Sequence, residues 1–353
     1  MDGTLNWTSS DLDGLAEVQG DQRVDFISDN TRTYLDVVFY VLVQGSISLL
    51  GSAGNILNIL VFVKQGFKDT VNCSLMALSL SDLGSLVTLT WMSICYLPEF
   101  RFSGIEFESL DIQYLTACWP HGSFARITSC ITAYISFERC LCTALPLKVK
   151  TIITPARTLI IMASIFLLQF SVVSLVFSSV RLGPVYYLRR NTTLVGLVYI
   201  DNGPYLENMA FSIDIGIQIF SFVIVAICTM ILIQSLIRNR KWRNSATKSA
   251  VPDSVDSKTA REKRVVVMVT TISGIFIACY TPSVINLIIM LCFPDYSIVG
   301  AYSNTFILIW SLFLNLEAIN SAVNIFIYYN MSSKFRTVFS LTLKSCTATA
   351  KSK

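Results

Sequence analysis

The sequence predicts an all-α membrane protein: a seven-transmembrane helix bundle with its N-terminus outside and a short amphipathic eighth helix. Three observations predict it. Of 353 residues, 53% are hydrophobic and only 14% charged, whereas an ordinary soluble domain carries about 25% charged residues. Seven long apolar stretches recur, each near or above the ~20 residues that cross a bilayer as helix. Basic residues collect on alternate sides of those stretches, which fixes one orientation.

The first 36 residues form a polar tail with Asp2, Asp11, Asp13, Glu17, Asp21, Asp25, Asp29 and Asp36 against two arginines. Its opening lacks the basic stub and apolar run of a cleavable signal. The first span is therefore expected to target the chain. The bundle occupies 37–329, with spans at about 37–63, 72–97, 114–141, 157–179, 206–237, 264–291 and 301–329. Lipid offers the backbone no hydrogen-bond partners, so each span must be helical. Lys64 and Lys68 follow the first span, and Lys148, Lys150 and Arg157 follow the third. Nine basic residues lie from Arg238 to Arg264. The positive-inside rule places these loops in the cytoplasm and the acidic tail outside. The segment 239–260 is polar, Ser-rich and broken by Pro252, which reads as a mobile loop. In the closing segment, 330–353, Phe335, Val338 and Phe339 share one face of an amphipathic helix on the membrane surface. Cys346, just beyond that face, is a candidate for palmitoylation.

Glycosylation sequons agree with this orientation: Asn6 lies in the tail and Asn191 between spans four and five, both on the expected outside. Matches at Asn72 and Asn330 fall on expected cytoplasmic helix ends and read as chance. The ten cysteines sit mostly inside apolar segments, where they pack as small hydrophobes. One histidine, with no clustered nucleophile, metal or phosphate motif, gives no catalytic constellation.

Polar groups inside a membrane are costly and therefore candidates for function. Asn55 lies in span one, Asp82 in span two within LSLSDLG, Thr128 in span three, and Asn320, Ser321 and Asn324 in span seven. Span three closes with Glu138-Arg139-Cys140, followed by Leu145-Pro146-Leu147, and Glu262 opens span six. Arg139 has either carboxylate as a partner. Each such pair at a wet interface is worth ~1 kcal/mol, little enough for a ligand to tip. In span six Pro282 should kink the helix, with Phe276 and Tyr280 one turn apart just before it. Asn324 and Tyr328, also one turn apart, close span seven in Asn-Ile-Phe-Ile-Tyr.

Together these motifs resemble those of the rhodopsin-like (class A) G-protein-coupled receptors. The resemblance implies that Asp82 and its neighbours hold a sodium ion that favours the inactive state. It also implies that Arg139, released from Glu138 and Glu262, meets a heterotrimeric G protein, with Leu147, the ends of spans five and six and Tyr328 completing the coupling surface. The run from Phe124 to Arg157 is similar to molluscan chemosensory receptors of this class, themselves related to invertebrate peptide receptors. Cys140 replaces the family's tyrosine, Tyr280 its tryptophan and Ile325 its proline. Residues 180–205 lack the cysteine that normally ties this loop to span three. Cys118 lies one turn deeper than the family position, which Tyr114 occupies; it is either free or paired with Cys95 or Cys292. Spans four and five lack the family's tryptophan and proline.

On the ligand side, His121 stands where amine receptors carry an aspartate, which disfavours an amine. Ala318 stands where opsins carry the retinal lysine, which disfavours an opsin. His121, Arg126, Asp214, Asn286 and Glu317 remain as candidate ligand contacts. Arg126 and Asp214 either neutralise each other or grip the carboxylate and cation of a peptide or small chemosensory molecule. The expected partners are an extracellular ligand, a G protein and the bilayer, with no nucleic acid and no cofactor beyond sodium. A seven-helix ligand-gated channel or a transporter is the competing class. Transporters often show internal repeats, and none is visible here.

Overall fold

The computed structural model describes residues 25–145, 149, 151–246, 256–298 and 300–351, and their side chains except at 189, 239–261 and 343–351. Asn6, Leu147 and the Cys346 side chain lie outside this description. Seven long helices form the bundle: α1 (Asp29–Gln65), α2 (Thr70–Tyr96), α3 (Ser109–Gln113, a π-helical turn Tyr114–Cys118, then Trp119–Ala144), α4 (Pro155–Ser179), α5 (Gly203–Ala246), α6 (Asp256–Cys292) and α7 (Ser303–Met331). An eighth, α8 (Ser333–Lys351), follows after a single-residue break.

Caps set several of these starts. Asp69 accepts a hydrogen bond from the Val71 N–H at 3.2 Å, and Thr154 accepts one from Arg157 ahead of Pro155; both satisfy donors that the first turn leaves open. α7 is capped from far away. The Asp25 carboxylate accepts the Asn304 N–H at 2.7 Å and the Thr305 N–H at 3.2 Å, an anion at the positive end of a helix. Asn304 in turn donates to the Ile27 carbonyl and accepts from Arg32. The segment before α1 is thereby bound to the start of α7.

Six of the seven helices are apolar enough to cross a membrane, with mean hydropathy from 1.4 to 2.5. α3 is the exception, and its position explains why. α1 packs on α2 and α7, α5 on α4 and α6, α6 on α7, and α4 on α2, closing a ring; α3 touches α2, α4, α5 and α6 from within. Its polar side chains face protein instead of lipid. The bundle is correspondingly inside out relative to a soluble core: Phe220 is 69% exposed while Gln218, two residues earlier on α5, is 0% exposed. Without a hydrophobic drive between helices, close backbone approach and interhelical hydrogen bonds hold such bundles. Gly51 of α1 supplies one approach, since a Cβ there would lie 2.7 Å from the Ala322 Cβ of α7.

Two features depart from the sequence expectations, and a third decides between the alternatives left open for Cys118. α5 extends to Ala246 and α6 begins at Asp256, so much of the segment expected as a loop is helix. Its lysines, arginines and alanine are good helix formers. The second departure is an antiparallel hairpin after α4, β1 (Val180–Tyr187) with β2 (Thr192–Tyr199), in which Val180 pairs with Tyr199 and Tyr187 with Thr192. Asn191 turns the hairpin in the left-handed region at φ 48° and is exposed. Third, Cys95, Cys118 and Cys292 are all free thiols. Neither pairing open to Cys118 forms.

Candidate functional site

From the hairpin end downward, the bundle interior holds three polar layers, each built by α3 with its neighbours. In the first, His121 joins α3 to two helices: its Nε2 lies 3.0 Å from Glu317 Oε2 on α7, and its Nδ1 lies 3.1 Å from the Ser85 hydroxyl on α2. Both members of the pair are buried. His121 and Glu317 thus serve each other before any ligand. On the opposite side of α3, Asp214 of α5 has Arg126 and Gln169 as its polar neighbours, yet Arg126 and Asp214 form no direct ion pair. Ser129 donates to Gln218 Oε1 at 3.0 Å, and Asn286 accepts from the Tyr296 hydroxyl at 2.8 Å.

This outer layer is underfilled with hydrogen bonds. Arg126 Nε, Asp214 Oδ1, both polar side-chain atoms of Gln169, Gln218 Nε2 and Asn286 Nδ2 are buried with no partner among the described residues. Each such orphan costs ~1–3 kcal/mol, which water or a polar ligand would recover. Gln169 and Gln218 were missed from the sequence. The signal was present, a glutamine in each of two very apolar spans.

The second layer centres on Asp82, fully buried in α2. Thr128 donates to its Oδ1 at 3.0 Å and Asn324 of α7 to its Oδ2 at 2.7 Å. Ser321 also lies beside the carboxylate, and Ser81 meets Thr128 at 2.9 Å. Asn55 ties α1 in by donating to the Ser321 carbonyl at 2.9 Å. Asn320 is buried but forms no hydrogen bond with this cluster among the described residues. The carboxylate and hydroxyl oxygens suit a hard cation.

On α6, Phe276 and Tyr280 stack with ring centroids 4.4 Å apart, Tyr280 standing two residues ahead of Pro282 inside the helix. Thr281 donates its hydroxyl to the Ile277 carbonyl at 2.6 Å, next to the Ala278 carbonyl whose helix bond Pro282 cannot make. The third layer then closes the bundle. The Ser136 and Ser273 hydroxyls meet at 2.7 Å between α3 and α6, and the Cys140 thiol donates to the Cys228 carbonyl of α5 at 3.2 Å. Arg139 binds Glu138 Oε1 at 2.5 Å, which also accepts from Thr70 of α2 at 2.6 Å. Tyr328 is buried among Phe62, at 5.2 Å between centroids, and Phe335 of α8, at 5.7 Å.

Glu262 corrects the sequence reading: it is exposed and forms no ion pair with Arg139. Helix geometry gives the reason. α3 and α6 touch at Ser136 and Ser273; Arg139 lies three residues beyond that contact, ~5 Å along its helix, but Glu262 lies eleven beyond, ~16 Å. The carboxylate overshoots. The Asn72 side chain, whose sequon reads as chance, is buried and donates to the Phe62 carbonyl at 3.2 Å, closing the turn between α1 and α2.

Polar layers thus run through the membrane bundle beside a proline-interrupted helix. The chain belongs to the rhodopsin family of seven-transmembrane receptors: the family described as 7 transmembrane receptor (rhodopsin family) matches residues 54–328. Its members are receptors and not enzymes, so this is a multi-pass membrane receptor of the G-protein-coupled class. None of the curated proteins matches the chain.

Proposed function

We propose that the protein is a plasma-membrane receptor, N-terminus outside, that converts binding of an extracellular chemosensory molecule or neuropeptide into activation of a heterotrimeric G protein. The observation that carries the ligand site is the set of unpartnered atoms around Arg126, Gln169, Asp214, Gln218 and Asn286. Four are N–H donors and two are oxygen acceptors, of opposite formal charge at Arg126 and Asp214. A dipolar ligand answers that inventory: a carboxylate or amide oxygen toward Arg126 and the glutamine amides, an ammonium or amide N–H toward Asp214. His121 and Glu317 border the site and link it to α7. At the other end, Arg139 and the ends of α5 and α6 would meet the G protein, with the buried Tyr328 behind them; Leu147, the further coupling candidate, lies outside the described residues.

Asp82, Thr128 and Ser321 would hold a sodium ion. Bound there, the ion would supply positive charge to balance Asp82, and Asp82, Thr128 and Ser321 would join α2, α3 and α7 around it in the resting arrangement. The test is a screen of receptor-expressing cells with short amidated peptides, free amino acids and water-borne small molecules, read by G-protein activation in sodium and in choline buffers. An active compound should lose at least tenfold in potency on Arg126→Ala and on Asp214→Ala at equal surface level. It should also gain potency in choline, with that gain abolished by Asp82→Asn. Wild-type potency in both outer-layer variants would sink the assigned site.

A further inference from the structure

The hairpin has no cysteine to tie it to α3, yet it is not loosely held. Of the N–H groups along the outer edge of β2, two are taken by the segment entering α3. Val195 N–H donates to the Glu106 carbonyl at 2.7 Å, and Leu197 N–H donates to Asp111 Oδ2 at 3.0 Å. In return, Glu108 N–H donates to the Val195 carbonyl at 3.0 Å. The same Asp111 oxygen accepts the Tyr187 hydroxyl of β1 at 2.6 Å, so one carboxylate oxygen grips both strands. Between them lies Gly196. A Cβ there would come within 2.0 Å of the Tyr187 hydroxyl oxygen and 2.8 Å of Asp111 Oδ2. Only a residue without a side chain leaves room for the phenol to reach the carboxylate.

Two further carboxylates flank this contact. Glu108 pairs with Arg190 at the hairpin tip at 3.1 Å. At the hairpin base, Glu207 accepts a hydrogen bond from Tyr114 and stands beside Tyr199, the last residue of β2. Tyr114 occupies the position that carries the bridging cysteine elsewhere in the family. The hairpin is therefore fastened to the start of α3 at its tip, middle and base.

We propose that Asp111 is the positioning residue of the hairpin, the centre of a noncovalent carboxylate–phenol clasp that replaces the family's covalent tie. A charge-assisted hydrogen bond is strong for its kind, and a sheet edge whose donors are covered resists stray pairing. Unlike a disulfide, the clasp opens and closes by local fluctuation and is indifferent to reductant. The opening of the hairpin away from the start of α3 is thereby set by Asp111, Tyr187 and Gly196.

Hydrogen–deuterium exchange of the purified full-length receptor in detergent, followed on peptides covering 180–199, tests this without any ligand. The wild-type hairpin should be protected, and dithiothreitol should not alter that protection. Asp111→Ala and Gly196→Ala should each speed exchange in 192–199 at least tenfold, with the α7 peptides unchanged. Asp111→Asn, which keeps an acceptor of the same reach, should restore most of the protection. Tyr187→Phe removes one hydroxyl with little risk to folding and should speed exchange severalfold, so it decides the matter if the alanine variants do not fold. Faster exchange in reductant, or wild-type protection in both Asp111→Ala and Tyr187→Phe, would overturn the proposal.

Discussion

Arg139 shows how one residue's partners decide what a motif does. Its guanidinium is held by the adjacent Glu138, which is buried and also accepts from Thr70. A pair of this kind, with one member out of water, is worth more than an exposed one because solvent competes less. The exposed Glu262 contributes no such bond. Glu138→Gln should therefore raise ligand-independent signalling by about fivefold, the population change that ~1 kcal/mol produces. Glu262→Ala should leave it within about twofold of wild type. Signalling assayed at matched surface expression separates the two, and a larger rise from Glu262→Ala would restore the longer-range pair to the switch. The two carboxylates were equally visible in the sequence. Which of them reaches Arg139 depends on where α3 and α6 touch, a distance that no local pattern encodes.

Among elements, α6 is the one we propose moves on activation. Proline interrupts it, Phe276 and Tyr280 stack just before the interruption, and the Ser136–Ser273 bond holds its lower half to α3. Interhelical hydrogen bonds inside membranes contribute ~0.6–2 kcal/mol, so this one biases the resting packing without locking it. Ser273→Ala should favour outward displacement of α6 and raise basal signalling threefold or more, while Ser273→Thr, which retains the hydroxyl, stays near wild type. Equal signalling from both variants would remove the serine pair from the mechanism. Pro282, Phe276 and Tyr280 were legible as a kink with adjacent aromatics because proline and helical spacing act locally. The serine pair was not, since small hydroxyl residues are common in membrane helices and only their meeting across two helices gives them a role.

For the whole molecule, the polar layers run the length of the bundle because α3 lies inside the ring of the other six. The hairpin end carries Asn191 on an exposed turn, where Tyr186 donates to its side-chain oxygen at 2.5 Å and leaves the amide nitrogen to accept a glycan. Asn191→Gln should remove one glycosidase-sensitive mass increment from receptor made in cells, and Asn6→Gln a second. A receptor with no glycan at either position would count against an outside N-terminus. The sequence by itself determined the class of fold and the number of spans, and it singled out Asp82, Arg139 and Pro282 as candidates, because bilayer thickness, charge bias and proline chemistry act on short stretches of chain. The tertiary structure alone decided which partners those residues have. It paired His121 with Glu317, left Arg126 and Asp214 unsatisfied, separated Glu262 from Arg139, and fastened a hairpin with Asp111 where a disulfide was missing. Each of these depends on helices far apart in sequence meeting at one depth, and on side chains a few ångströms long either spanning the gap between them or falling short.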